Sequence, residues 1–175
     1  MAEQSNIERF EEAVLPHLSA AYNLARWLTR NDHDAEDVVQ EAYLRAYKFF
    51  GSFHGGQSRA WMLTIVRNTC CTWLERNRPA EVTAVFDEDL HAVDRQETTA
   101  EAEYLKSVDK ELLRQALEKL PVEFREVIVL RELEGLSYKE IATIAGVPAG
   151  TVMSRLARAR KRLQLCLASR MSREV

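Results

Sequence analysis

The chain has 175 residues, of which 46% are hydrophobic, 29% charged and only 6 are Gly and 4 Pro, a composition typical of a helix-rich globular protein and not of a disordered or collagen-like one. No apolar run approaches the ~20 residues that span a bilayer, and the N-terminus lacks the basic and apolar regions of a signal peptide, so we expect a cytoplasmic protein without membrane insertion. The net charge of −3 argues against nonspecific coating of nucleic acid.

The charged residues are segregated along the chain, so the distribution of charge is more informative than its sum. Acidic residues crowd the middle of the chain, namely Asp87, Glu88, Asp89, Asp94, Glu97, Glu101 and Glu103. Basic residues crowd its C-terminal stretch, namely Arg155, Arg158, Arg160, Lys161, Arg162, Arg170 and Arg173.

Two helices are predicted before residue 50. Ser5 and Glu8 have the spacing of a capping box, which predicts that the first helix opens near residue 6, and Pro16 is expected to kink or split it. Asp34 is the predicted N-cap of the second helix, which runs to about Phe49.

A glycine-rich segment, 51–58, then predicts a loop, and a third helix begins near Gln57 and ends before Pro79. Its predicted apolar stripe consists of Trp61, Ile65, Thr69 and Trp73. Both tryptophans on this stripe are assigned to packing. These helices would close a compact three-helix unit.

From residue 80 to about 99 the apolar periodicity is weak, which predicts an exposed linker. Beyond it, Leu112–Leu120 has the periodicity of an amphipathic helix, Pro121 breaks that helix, and the next one ends at Gly135. We therefore expect one domain over 1–79, a flexible acidic linker over 80–105 and a second domain over 106–175.

The second domain carries the spacing of a helix-turn-helix. Ser137 and Glu140 form a second capping box, Gly146 suits the turn between the helices, and Pro148 suits the first turn of the next helix, which runs to about Leu165. Because no strand pattern or hairpin turn occurs in the sequence, we predict an all-α fold of two small helical domains.

The final helix divides into an inward apolar face and an outward basic face. The inward residues are Val152, Leu156, Ala159 and Leu163, and the outward residues are Ser154, Ala157, Arg158 and Lys161, flanked by Arg155 and Arg162. Such a helix suits the major groove, with base edges near its N-terminal end and phosphates further along. Thr151 and the amides beside it are placed to hold a phosphate.

From about Ile7 to Leu165 the chain resembles the extracytoplasmic-function sigma factors of bacterial RNA polymerase, in the sigma-70 family. Asp34–Ala42 followed by Trp61–Asn68 is similar to the second conserved region of the family, and Leu120–Arg155 is similar to the fourth. Each motif alone is moderately specific, and the pair in this order and spacing is strongly so.

The resemblance implies three sets of contacts. Core polymerase would be bound through Asp37, Gln40 and Glu41. The minus-ten element, read as an unwound strand with a flipped base in a pocket formed by the glycine loop and the third helix, would contact Phe53, His54, Gln57, Arg59, Arg67 and Asn68. The minus-thirty-five element would contact Thr151, Met153, Ser154, Arg155, Ala157, Arg158 and Lys161.

One of these positions departs from the family pattern. Met153 stands where the family usually holds a basic residue, and a methionine neither neutralises a phosphate nor pairs with guanine, which leaves the promoter preference at the minus-thirty-five element open. Ala157 is suited to contact a thymine methyl group.

The implied partners are core RNA polymerase, through its beta-prime clamp and beta flap, promoter DNA, and an anti-sigma factor that controls the protein. Two alternatives are a stand-alone helix-turn-helix regulator, which would not need Asp34–Ala42, and a sigma mimic that only sequesters an anti-sigma partner. An enzyme is not expected, because the residues assemble no nucleophile–base pair, phosphate loop or metal constellation. Cys70, Cys71 and Cys166 lack metal or disulfide spacing, so we expect no metal and no cofactor.

Overall fold

The structure is a computed structural model that describes residues 1–83 and 109–173. Within these ranges every regular element is helical, so the predicted all-α fold is confirmed. The chain divides into two compact units, the first formed mainly by Met1–Pro79 and the second beginning at Ala80. The predicted acidic linker lies outside the described residues from residue 84 onward.

The N-terminal unit consists of four long helices, and a short helix begins at its last residue, Pro79. They are α1 (Ala2–Val14), α2 (Leu18–Thr29), α3 (Asp32–Phe49), α4 (Ser58–Asn77) and α5 (Pro79–Thr83). A 3-10 turn, Leu15–His17, separates α1 from α2, and this confirms that Pro16 splits the first predicted helix. A second 3-10 turn, Phe50–Ser52, leads into the glycine loop.

The N-caps predicted for the first two helices are wrong. α1 begins at Ala2, and Ser5 lies inside it, donating its backbone N–H to the Met1 carbonyl at 3.2 Å. The N-cap of α3 is Asn31, whose Oδ1 accepts from the Asp34 N–H at 3.0 Å. Asp34 lies in the first turn of α3, where its N–H is the one that Asn31 caps and its carboxylate pairs with Arg78 at 3.3 Å.

The core of the N-terminal unit is formed where α2, α3 and α4 pack on one another, with α1 against α4. On α4 the buried residues are Ala60, Met62, Leu63, Val66, Thr69, Cys70 and Leu74. The predicted stripe was therefore misplaced, because Trp61, Ile65 and Trp73 are only half-buried. Both tryptophans still pack, Trp61 on a phenylalanine cluster and Trp73 under the guanidinium of Arg78 at 5.0 Å.

An aromatic cluster joins α1, α3, α4 and the glycine loop. The ring of Phe10 contacts those of Tyr43, Tyr47 and Phe50, with centroids 5.0, 5.2 and 5.3 Å away. Further rings continue the cluster, since Phe53 lies 5.8 Å from Phe50 and 4.9 Å from Trp61. Such edge and offset contacts stabilise the pairs beyond simple burial, by about 0.5–1.5 kcal/mol each.

The C-terminal unit consists of α6 (Lys110–Lys119), α7 (Val122–Ile128), a π-helical turn (Val129–Leu133), α8 (Tyr138–Ala145) and α9 (Ala149–Met171). The break predicted at Pro121 is confirmed, and Gly135 follows the π-helical turn with a φ of +67°. α9 continues beyond its predicted end at Leu165, because Leu167 is fully buried in the unit.

Two charged residues of α7 are buried, which the sequence pattern did not indicate. Arg125 is 1% exposed and Glu126 is 2% exposed. The Arg125 guanidinium donates to the carbonyls of Glu118 and Leu120 at 3.2 and 2.8 Å. It thereby satisfies acceptors at the C-terminal end of α6 that lack helical partners.

His17 connects the first 3-10 turn to the start of α4. Its Nε2 lies 2.9 Å from the Ser58 hydroxyl oxygen, so one of these groups donates to the other. Partial burial, and secondarily the charge of Arg59, lower the pKa of His17 below 6.5. The folded unit therefore favours the neutral imidazole.

This lowered pKa makes the N-terminal unit less stable in mild acid. Above pH 6.5 His17 is neutral in both states, and as the pH falls through the lowered folded pKa the unfolded chain binds a proton first, so stability is lost. We expect His17→Gln to lose less stability than the wild type between pH 7 and pH 5.5. Urea unfolding followed by tryptophan fluorescence measures this, since all 3 Trp lie in the N-terminal unit; an equal loss in both proteins would contradict it.

The start of α8 is a reciprocal capping box, as predicted. The Ser137 hydroxyl accepts from the Glu140 N–H at 3.1 Å, and the Glu140 carboxylate accepts from the Ser137 N–H at 2.8 Å. At the other end of α8, Gly146 has a φ of +68°, a left-handed conformation that favours glycine. Residues next to each end of α8, the first helix of the helix-turn-helix, thus determine where the helix begins and ends.

Ser137→Ala is expected to destabilise α8 by about 1 kcal/mol, because it removes the acceptor for an N-terminal amide. Ser5→Ala is the matched control, since Ser5 lies inside α1 and alanine favours helix, so α1 should keep or gain stability. Amide hydrogen exchange over residues 138–145 and 2–14 measures the two effects. Unchanged exchange in 138–145 for Ser137→Ala would show that the cap contributes nothing.

Candidate nucleic-acid interface

The face of α3 predicted to bind a protein partner is exposed. Asp37, Gln40 and Glu41 lie three and four residues apart on the solvent side of the helix. The Asp37 side chain is 59% exposed and lies 3.8 Å from His33, and the Glu41 carboxylate pairs with Arg45 at 2.6 Å. The structure thus brings the three acceptors together on one surface.

Apolar side chains border this acceptor face. Leu44 is 68% exposed, and a groove beside Gln40 is lined by Leu15, Leu18, Val39 and Tyr43. The combined surface offers both hydrogen-bond acceptors and apolar area, which is the composition of many protein interfaces.

The glycine loop holds some of the predicted minus-ten residues together and leaves others apart. Gly55 and Gly56 have φ values of +89° and +95°, so the loop turns through conformations that favour glycine. Phe53 and His54 line a cavity of about 400 Å³ at this loop. The predicted pocket between the loop and α4 is not the cavity that the loop forms here.

The remaining predicted minus-ten residues do not line that cavity. Gln57 is the exposed N-cap of α4, and Arg59 is half-buried as the second residue of the helix. Asn68 is exposed, with its Oδ1 3.5 Å from the Arg67 guanidinium. Arg59 and Asn68 are nine residues apart, about two and a half turns, so they lie on opposite sides of α4. The exposed Asn68, with Arg67 beside it, is suited to base edges and backbone phosphates.

Two further residues of the cavity were missed by sequence analysis. Asn6 and Arg9 on α1 form its other wall. They lie more than forty positions before the loop, and no spacing in the sequence connects them to it. The packing of Phe10 against Phe50 is one of the contacts that bring α1 to this place.

The outward face of α9 is narrower than predicted. Met153 is 48% exposed and Lys161 is exposed, whereas Ala157 and Arg158 are half-buried. The Ser154 hydroxyl donates back to helix carbonyls, with Gly150 O 3.0 Å away, so it offers lone pairs outward.

Three arginines of α9 form contacts inside the unit. Arg160 is 6% exposed and donates to Glu132 at 2.7 Å, and Arg155 pairs with Glu123 at 3.4 Å with its side chain 12% exposed. The Arg162 guanidinium lies over the Phe124 ring at 5.0 Å. Their charge is therefore largely committed to the fold.

The start of α9 differs from prediction in one detail. Pro148 is the N-cap instead of a first-turn residue, and the half-buried Thr151 donates its N–H to the Pro148 carbonyl at 3.0 Å. The Thr151 amide is therefore already bonded, and its hydroxyl remains the group suited to a phosphate.

In residues 1–83 and 109–173 no helix is both long and apolar enough to cross a membrane. The same part of the chain contains no group of three or more His, Cys, Asp or Glu arranged to hold a metal ion.

Comparison with known proteins identifies both units. The family described as Sigma-70 region 2 matches residues 13–79, and the family described as Sigma-70, region 4 matches residues 110–163. The chain is 35% identical to the ECF RNA polymerase sigma factor SigE of Mycolicibacterium smegmatis over 97% of its own length and 66% of that protein. It is 34% identical to the ECF RNA polymerase sigma-E factor of Haemophilus influenzae over 94% of this chain and 96% of that one.

A solved structure agrees with these matches. The sigma factor RpoE of Bartonella quintana, crystallised in complex with the anti-sigma factor NepR, is 32% identical, with a TM-score of 0.69 over 92% of this chain and 98% of that one. With both regions present in order and relatives matched over most of their length, the chain belongs to the extracytoplasmic-function RNA polymerase sigma factors.

Proposed function

We propose that this sigma factor binds core RNA polymerase through the α3 face and directs it to promoters read by α4, the glycine loop and α9. In this proposal residues 1–79 are the region 2 domain, 80–105 a linker and 106–175 the region 4 domain. The observation that carries it is the match of both regions, in order, to one chain. The protein acts in the cytoplasm as a non-enzymatic initiation factor.

The α3 face supports the first contact because it offers Asp37, Gln40 and Glu41 to solvent. Carboxylates and an amide on one helical face suit a basic partner surface, and opposite charges speed encounter and set the register of docking. Exposed Leu44 beside them adds apolar area that a docked clamp helix would bury.

Residues of α4 and of the glycine loop support contact with an unwound minus-ten strand. Phe53 supplies a ring on which a base can stack, and Asn68 supplies an amide with both a donor and an acceptor for a base edge. Arg67 beside Asn68 supplies a cation for the sugar–phosphate backbone.

The outward face of α9 supports contact with the duplex at the minus-thirty-five element. Lys161 and Arg158 lie where phosphates would be met, and Met153 and Ala157 lie nearer the base edges. Because Arg155 is paired with Glu123, its role in this proposal is to orient α9 as well as to meet DNA.

Control by an anti-sigma factor is part of the proposal. Two similar solved structures are complexes with another protein: RpoE with the anti-sigma factor NepR, and CnrH with the cytosolic domain of CnrY, the latter 26% identical with a TM-score of 0.65. A partner that covers the α3 face would exclude polymerase by direct competition.

The polymerase contact is tested by the triple variant Asp37→Arg, Gln40→Ala, Glu41→Arg. Reversing two charges on the docking face should weaken capture of purified core RNA polymerase by about 10–100-fold. Equilibrium pull-down measures the loss, and circular dichroism verifies that the variant remains helical.

The matched control carries the same change of charge elsewhere in the N-terminal unit. Glu3→Arg, Gln4→Ala, Glu75→Arg alters three exposed residues of α1 and α4 and should capture polymerase as the wild type does. Equal capture by both triple variants would contradict the α3 contact. No capture by the wild type would favour a stand-alone regulator or a sigma mimic.

The minus-thirty-five contact is tested by removing one cation from the outward face of α9 and, separately, by adding one. Lys161→Ala should reduce the slope of log affinity against log salt for promoter duplex by about one, and Met153→Lys should increase it by about one. Fluorescence anisotropy of the holoenzyme with labelled promoter DNA measures both slopes. Arg173→Ala, beyond the end of α9, is the control and should leave the slope unchanged; an unchanged slope in all three would remove α9 from the DNA interface.

A further inference from the structure

The cavity at the glycine loop is formed by two parts of the chain that are distant in sequence. Asn6 and Arg9 of α1 line one side, and Phe50, Phe53 and His54 line the other. Its volume of about 400 Å³ falls within the roughly 300–1,000 Å³ typical of small-ligand sites. The space is sufficient for a single nucleotide and too small for a duplex.

The polar groups of this cavity are unengaged within the described residues. Asn6, Arg9 and His54 are exposed, and none of the three makes an ion pair or side-chain hydrogen bond to the described part of the chain. An amide, a guanidinium and an imidazole around one cavity provide donors for a base edge and a cation for a phosphate.

The apolar wall completes a site for a flat ring. Phe50 is only 6% exposed, and its ring stacks on that of Phe53, 5.8 Å away at an interplanar angle of 23°, so the half-buried Phe53 is the ring that this wall presents. Bases stack on such aromatic side chains with a contribution of about 1–3 kcal/mol per base. The chemistry of the cavity therefore corresponds to all three parts of a nucleotide: base face, base edge and phosphate.

α1 is held firmly enough to serve as a wall. Phe10, next to Arg9 in the chain, is 1% exposed and contacts rings of α3 and Phe50. Because Phe50 also contacts Phe53, the same cluster fixes both sides of the cavity. Side chains supported in this way are preorganised for binding.

We propose that α1 contributes specificity-determining residues for the minus-ten strand: Asn6 reads the edge of one extruded base in this cavity, and Arg9 pairs with the adjoining phosphate. This inference rests on the proposed function, since it assigns further residues to the same promoter contact. It places part of promoter selection on the first helix of the chain, outside the loop and α4.

The experiment uses holoenzyme reconstituted from core RNA polymerase and the full chain. DNA that is duplex upstream and carries a randomised single-stranded minus-ten segment is selected by wild-type holoenzyme and sequenced. Each base of the preferred segment is then replaced, one at a time, by an abasic site, and the affinity of wild type, Asn6→Ala and Arg9→Ala is measured for every oligonucleotide.

One abasic site should weaken wild-type binding by ~5–50-fold, and Asn6→Ala should reduce that penalty by more than half at this site alone. Arg9→Ala should weaken binding of every oligonucleotide by a similar factor and lower the salt slope by ~0.7, the value for one single-strand phosphate contact. Lys48→Ala, which removes an exposed cation of α3 outside the cavity, is the control for charge.

An abasic profile of Asn6→Ala identical to that of the wild type, together with Arg9→Ala behaving as Lys48→Ala, would overturn the proposal. Pull-down of polymerase with the same proteins distinguishes failure of the cavity proposal from failure of the proposed function. If both variants and the wild type retain polymerase, the result concerns the cavity alone, whereas a wild type that retains no polymerase overturns the proposed function as well.

Discussion

The ring of Phe10 meets rings from α3 and from the turn that follows it, and the geometry of the N-terminal unit depends on these contacts. Phe50 transmits them to Phe53 and Trp61, so α1, the glycine loop and α4 share one aromatic core. A loop with two glycines at positive φ has little order of its own, and the ring contacts supply it. The exposed polar side chains of α1 and of the glycine loop are therefore held in place by this aromatic core.

In the C-terminal unit the corresponding constraint is ionic. Arg160 is held by Glu132, Arg155 by Glu123, and Arg125 by carbonyls at the end of α6. The carboxylate partners are partly exposed, with 35% of the Glu132 side chain and 25% of the Glu123 side chain accessible, so these pairs contribute less than fully buried ones while still favouring one arrangement of α9. Lys161 and the half-buried Arg158 lie on the same helix.

Local signals in the sequence predicted what local physics decides. The break at Pro16, the capping box at Ser137 and the turn at Gly146 each depend on neighbouring residues, and all were confirmed. Two predicted caps were wrong for local reasons: Asn31, three residues before Asp34, caps α3, and Ser5 lies inside α1. The cavity wall on α1 could not be predicted from sequence spacing, because tertiary packing joins it to the loop.

The separation of internal and outward side chains on α9 has an evolutionary consequence. Arginines that maintain the fold and side chains that face outward alternate along one helix, so the two sets can change independently. Substitution at Met153, Ala157 or Lys161 alters the outward chemistry without disturbing an internal pair. Such a helix can diverge in what it selects while its scaffold stays constant, and gene duplication could produce paralogues with new targets from the same fold.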